Sequence, residues 1–147
     1  MNITLKLGTY SFLKPQQQSA DTLLKPLFDT KTDHLLIKVL TRNGQYRNLT
    51  GTIDSRDELY LLTYLKFNAD QSALFRSKFI DTGKIDYNSS VYQLRENLQE
   101  YLIISTFDTE TNMQDGKKYI QREIDQGIRS DSKTPFGFFT KDYKIIN

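Results

Sequence analysis

Two carboxylates separated by one residue, Asp108 and Glu110 in the string IISTFDTET, are the most pointed chemical feature of the chain. Placed at the end of a strand, such a pair can supply oxygen ligands to a hard divalent ion. Other reactive groups are sparse. There is no cysteine, which excludes disulfides, thiolate zinc sites and cysteine nucleophiles. A Ser-His-Asp arrangement would have to use His34, the single histidine, which lies in a strand-like run and reads as structural. The string DTGK at 81–84 ends like a phosphate-binding loop, but the earlier glycine is missing and no Ser or Thr follows Lys84. No catalytic residue is assigned and no cofactor is implied. Basic side chains gather at Lys117, Lys118, Arg122 and Arg129 with Tyr119 among them, and Arg42 and Arg47 flank Asn43-Gly44. Arg42, Arg47, Lys117, Lys118 and Arg122 are the candidates for contact with a nucleic acid. Glu123, Asp125 and Asp131 are interspersed with the C-terminal group and would weaken its field.

The Asp-x-Glu string resembles the first motif of the DEDD-type proofreading exonucleases, in which the two carboxylates hold metal. Through that resemblance Asp108 and Glu110 would be metal ligands of a nuclease. The match covers fewer than about ten residues and departs from the family in three ways. The family motif opens its domain, whereas only 37 residues follow Glu110; the histidine lies upstream; and Asn112-Met113 replaces the glycine that commonly follows. As structure, the same residues read as a turn in which Asp108 and Thr109 satisfy backbone donors.

The elements that must position these groups follow from length and pattern. A chain of 147 residues fits one domain, 1–147, and buries roughly 68 to 70% of the surface its unfolded form exposes. Lys and Arg number 20 against 18 Asp and Glu, a net charge of +2, which is too balanced for a dominant phosphate-seeking field. The segment MNITLKLGTYSF lacks a basic leader and the apolar runs are short, so a soluble, cytoplasmic protein with no membrane partner is expected. Alanine occurs only at positions 20, 69 and 73, a bias associated with AT-rich genomes. Such small proteins look like accessory proteins of phages or plasmids. The expectation is a non-catalytic protein-binding module, an inhibitor of a host defence nuclease or other host enzyme in an anti-CRISPR-like role, with a host or element-encoded protein as partner. A small nucleic-acid-binding accessory protein and a metal-dependent nuclease using Asp108 and Glu110 are the alternatives.

The hydrophobic pattern predicts an α+β domain with a mostly antiparallel sheet. Ile3, Leu5 and Leu7 alternate as in a half-buried strand, and the change of parity to Tyr10 and Phe12 suggests a bulge at Gly8. Leu23, Leu24, Leu27 and Phe28 read as a short helical turn interrupted by Pro26. HLLIKVL and YRNLTGTI read as a hairpin around Asn43-Gly44. A three-residue loop, Arg42-Asn43-Gly44 with Gly44 at positive φ, puts Leu35, Ile37, Val39, Leu49 and Ile53 on one face. ELYLLTYLKF reads as a strand, despite the Ser55-x-x-Glu58 capping pattern, and Asp70 caps a short helix at about 70–79. The main helix is expected at about 90–101, from Ser90 and Gln93 as a capping box and Val91, Leu94, Leu98, Tyr101 and Leu102 at helical spacing. YLIISTF then reads as a strand and DTETNMQDGK as a turn region. KYIQREI fits either type, with Ile120, Ile124 and Ile128 at four-residue steps.

The C-terminal string PFGFFTKDYKII reads as an aromatic strand with a close approach at Gly137. Phe139, Tyr143 and Ile145 share one parity and are expected in the core. That leaves Phe136 and Phe138 at the surface as the candidate partner-binding residues.

Overall fold

The computed structural model describes residues 2–18, 27–28, 34–40, 42–53, 57–82 and 88–145. Among them the order is β1 (Asn2–Gly8), α1 (Tyr10–Leu13), a 3-10 turn (Lys14–Gln18), β2 (Leu27–Phe28), β3 (His34–Leu40), β4 (Tyr46–Thr50) and β5 (Leu59–Lys66). Then come α2 (Ala69–Phe75), a π-helical turn (Arg76–Ile80), β6 (Ser89–Leu94), β7 (Glu100–Phe107), α3 (Glu110–Arg129) and β8 (Gly137–Ile145). The expected α+β class with antiparallel pairing is the one adopted. The strands close into a barrel in the order β1-β3-β2-β8-β5-β7-β6-β4, and the ring is completed where Ile3 faces Tyr46. No helix among the described residues is long and apolar enough to cross a membrane.

From β5 onward the chain runs β-α-β-β-α-β, with the strands side by side as β8-β5-β7-β6. The central strands β5 and β7 are apolar at both parities, because each is covered on both faces. Leu61, Leu65, Tyr101, Ile103 and Phe107 face outward against Phe75 and Phe79 and against Met113, Ile120, Ile124 and Ile128 of α3. Tyr60, Leu62, Leu102 and Ile104 point into the ring, where they meet Ile3, Leu35, Ile37, Tyr92 and Tyr143. A ring of about eight strands is just wide enough for its own side chains to fill. The strands of the N-terminal segment thus cover the sheet face that the helices leave open.

Several expected elements are corrected. No bulge lies at Gly8; β1 ends there, and the parity change at Tyr10 and Phe12 marks α1, whose Leu13 is fully buried as is Leu36 of β3. Leu27 and Phe28 form the short strand β2, while Leu23, Leu24, Pro26 and Ser55 lie outside the described residues. The hairpin around Asn43-Gly44 is replaced by a crossing: among the described residues β3 and β4 share no ladder, since β3 pairs with β1 and β4 with β6. Asn43, not Gly44, carries the positive φ, at 52°. Gly44 is required for a different reason, because a Cβ there would stand 2.7 Å from the backbone nitrogen of Ile3. Leu49 packs toward the helices, apart from Leu35, Ile37, Val39 and Ile53.

The helix expected at about 90–101 is the β6–β7 hairpin. Val91 faces the helices and Leu102 the barrel interior, so the residues that shared a helical face divide between two cores. Asn97 makes the turn, accepting from Glu100 N at 3.0 Å through its carbonyl and from Gln99 N at 3.1 Å through its side chain. The main helix lies instead over the expected turn region, with Thr109 as N-cap accepting from Asn112 N at 3.1 Å. Ile120, Ile124 and Ile128 line its buried face as their spacing allowed. The short helix is capped by Asn68 and Gln71 in a reciprocal box, not by Asp70.

Candidate functional site at the barrel mouth

One end of the barrel is where β1 and β4 start, β3 and β5 end, and β7 and β8 begin, as the pairs Ile3–Tyr46, Lys66–Glu100 and Lys66–Gly137 show. Tyr64 and Phe139 are opposite one another across β5 and β8 at this end, with ring centroids 4.7 Å apart and planes within 11°. Phe139 shares parity with buried Tyr143 but lies nearer the start of β8, and it is 56% exposed. A cavity of about 280 Å³ opens beside the stacked pair, lined also by Tyr46, Leu94, Glu100 and Tyr101. The expectation that Phe139 belongs to the core is therefore corrected: its parity is inward, but at a strand's first residues the inward face is the mouth.

Burial pushes the Tyr64 phenol well above its ordinary range, with the neighbouring Tyr143 and Tyr46 adding to the shift. Tyr46 is raised first by burial and then by the negative charge of Glu100. Tyr92, deeper in the ring, is raised by burial against a smaller opposing hydrogen bond from Ser90. All three phenols stay protonated at neutral pH, so Tyr46 and Tyr64 offer the mouth neutral O–H donors beside the Glu100 carboxylate. The consequence for stability has a definite sign. Below an ordinary tyrosine value near 10 these groups are protonated whether folded or unfolded. As pH rises past it, the unfolded phenols ionise while the folded ones do not, and stability falls by about 1.4 kcal/mol per pH unit for a fully shielded phenol, less for solvent-reached Tyr46. An absorbance titration at alkaline pH is expected to show Tyr64 and Tyr92 ionising only together with loss of the far-UV circular dichroism signal. Full ionisation of all nine tyrosines in a still-folded chain would contradict the shielding.

The residues singled out in the sequence do not converge here. Asp108 and Glu110 flank the N-cap of α3: Asp108 accepts from Asn112 Nδ2 at 2.7 Å, which with backbone donors holds its carboxyl below the usual range, and Glu110 accepts from Gln114 at 3.3 Å. The pair belongs to a helix start, which corrects the turn reading. Arg42 is exposed in the crossing loop, Arg47 lies on β4, and Lys117, Lys118 and Arg122 lie on α3. Lys117 pairs with Asp142 at 3.4 Å and Arg122 stands 5.6 Å over the Tyr119 ring. Phe136 and Phe138 are half-buried against the helix-side core, Phe136 being 5.3 Å from Phe67 with Arg129 5.1 Å above its ring. Tyr46, Tyr64, Glu100 and Phe139 were missed as a group. The signal available was in LYLLTYLK, where tyrosines at even positions and leucines mostly at odd ones mark two differently used faces.

The β-α-β-β-α-β unit with strand order β8-β5-β7-β6 defines a ferredoxin-like α+β protein, here with its open sheet face closed into a barrel. No family model matches the chain, and no curated protein matches it. Among solved structures, a heme-degrading enzyme from Listeria monocytogenes superposes with a TM-score of 0.72 at 18% identity, over 98% of this chain and 99% of that one. A ferredoxin-fold protein related to antibiotic biosynthesis monooxygenases, from the same species, gives 0.73 at 17%, over 99% and 94%. A major regulator of staphylococcal pathogenesis gives 0.74 at 14%, over 99% of both chains. At these identities the likeness establishes the fold. The expectation of a non-catalytic, anti-CRISPR-like inhibitor is corrected by these neighbours, two of which are named for enzymes, and the nuclease and nucleic-acid alternatives have no counterpart among them.

Proposed function

We propose that this protein is an enzyme of the monooxygenase type that oxidises a flat aromatic molecule held in the barrel mouth. The observation that carries the reading is the Tyr64–Phe139 stack, an aromatic wall left open to solvent at the edge of a cavity with phenol donors. A soluble protein gains little by exposing such a ring unless a ligand covers it. The end-to-end fold likeness to a heme-degrading enzyme and to a protein related to monooxygenases supports the reaction class. In that class a substrate R–H, O2, two electrons and two protons yield R–OH and water, with an external two-electron reductant as the electron source. The chain's own contribution is positional. The ring wall stacks the substrate, Tyr46 and Tyr64 donate hydrogen bonds to its oxygen atoms, and the Glu100 carboxylate accepts from a hydroxyl.

Heme as the substrate fits the mouth poorly. The cavity, at about 280 Å³, falls at the lower edge of the roughly 300–1,000 Å³ of small-molecule sites, so it does not enclose a macrocycle. The lone histidine, His34, pairs with Gly8 at the opposite end of the barrel, its ring 6.2 Å from that of Tyr10. An iron-binding phenolate at Tyr46 or Tyr64 is opposed by the burial that keeps both protonated. A bicyclic or tricyclic phenol matches the space better.

Oxygen uptake tests the proposal, with ascorbate as reductant and naphthols, anthrols and hemin as substrates in parallel. Uptake with a phenol, and a KM raised up to about tenfold by Phe139→Ala with little change in melting temperature, is the expected result, in line with about 0.5 to 1.5 kcal/mol for an aromatic pair. No uptake with any substrate, or an unaltered KM in Phe139→Ala, would remove the mouth as the reaction site.

A further inference from the structure

Two cationic side chains from different elements meet on one neutral atom. Arg47 Nη2 donates to Oε1 of Gln93 at 2.6 Å, and Arg76 Nη1 reaches the same oxygen at 3.4 Å. Gln93 is 4% exposed and cannot turn freely, since its Nε2 donates to the Leu98 carbonyl at 2.8 Å and lies 3.4 Å from the Tyr101 hydroxyl. That hydroxyl is in turn bonded to Ser72 Oγ. The chain of contacts holds the Gln93 oxygen toward the arginines and draws both guanidinium groups together. Among the described residues the ion pairs are Lys78–Asp131, Lys117–Asp142 and Arg129–Asp125, and neither Arg47 nor Arg76 takes part in one. A guanidinium has five N–H donors, and the buried amide occupies one from each. Arg47 is exposed and Arg76 half-buried, so donors remain within reach of solvent.

We propose that Arg47 and Arg76 form a binding site for a dianionic phosphate group, with Gln93 as the positioning residue beneath it. Like charges brought this close repel in the absence of a counter-ion, and an anion between them reverses the sign of the interaction. Guanidinium forks match phosphate oxygens in paired, charge-assisted bonds, and the tetrahedral group presents oxygens to both forks at once. Two positive charges favour a dianion over a single carboxylate. The site lies on the opposite face of β4 from Tyr46, so its occupant is a different molecule from the one in the barrel mouth, and the inference stands independently of the oxidative reading.

The test is a titration of the full chain with inorganic phosphate, sodium chloride being withdrawn to keep ionic strength constant, followed by amide and guanidinium chemical shifts. Saturable shifts at Arg47, Arg76 and the Gln93 side chain are expected, with Kd on the order of 1 mM. Arg47→Gln and Arg76→Gln should each weaken binding at least tenfold, while Lys118→Gln should not. Should Arg76→Gln fail to fold, Arg47→Gln, at an exposed position, decides the outcome alone. Phenyl phosphate binding tenfold tighter than the free ion would identify an organic phosphate monoester as the ligand, and equal binding would identify the free ion. Shifts that do not saturate, or equal weakening by Lys118→Gln, would overturn the site.

Discussion

Replacing Phe75 by alanine is expected to cost the protein about 3 to 5 kcal/mol, the range for removing a buried aromatic ring whose surroundings cannot collapse. Phe75 has no exposed surface, and its ring lies 5.4 Å from Phe67, 5.6 Å from Phe79 and 4.7 Å from Tyr101. Those partners belong to β7, the π-helical turn and the end of β5, so none can shift without moving a strand or a helix. For a chain of this length the melting temperature should fall by roughly 10 °C. Phe139→Ala, in contrast, should cost less than about 1 kcal/mol, because the ring is 56% exposed and is held on one side by Tyr64. Thermal and urea unfolding of the two variants read the difference. Equal losses would mean that the mouth is part of the closed core.

Gly51→Ala is expected to be comparably damaging, by roughly 2 to 6 kcal/mol, for a backbone reason. Gly51 has φ +78, and a Cβ there would stand 2.2 Å from the Ser89 carbonyl oxygen and 2.9 Å from Ser90 Cα. The neighbour is the start of β6, which is pinned by its ladder to β7. Asn48 Nδ2 holds the same corner, lying 3.3 Å from the carbonyl oxygens of Thr50, Gly51 and Val91. Gly137→Ala is the control: its Cβ would meet only Lys66 Cβ, at 3.1 Å, and φ there is ordinary, so a small local adjustment suffices. Denaturant unfolding separates the two. Near-equal stabilities would show that the Gly51 corner yields easily.

How far the fold was legible depended on how many faces each element buries. β1, β5, β7 and β8 were readable because their strings are rich in apolar and aromatic residues and bounded by turns or charges. SVYQLRENLQEYL failed because a hairpin buried on both faces repeats its apolar residues at spacings that also fit one face of a helix. Tyr92, which a helix over 90–101 would have turned to the polar side, is 2% exposed. TETNMQDGKKYI failed in the opposite sense, since Gly116 reads as punctuation. In the folded chain it is the place where α3 passes over the Phe107 ring, 2.4 Å from where a Cβ would be, and Gly127 does the same for Phe79 at 2.6 Å. Local sequence carries no mark that distinguishes a glycine needed for a turn from one needed for close approach. The mouth was illegible for a related reason: parity told that Phe139 points inward, and only the stagger of the ring tells that inward at that level is open.

By itself the sequence determined the α+β class, the antiparallel character, the run of isoleucines that seats α3, and the absence of cysteine chemistry, because each follows from residue type and local period. Tertiary structure decided which strands are neighbours. It put β1 between β3 and β4, where adjacency in the chain suggested a hairpin, and it brought Tyr46, Tyr64, Glu100 and Phe139 together from four strands. It also joined Arg47 to Arg76 on a single amide oxygen. Such contacts arise from closing a ring whose partners lie far apart in sequence. Ring closure is settled by the summed burial of two cores, which no local window contains.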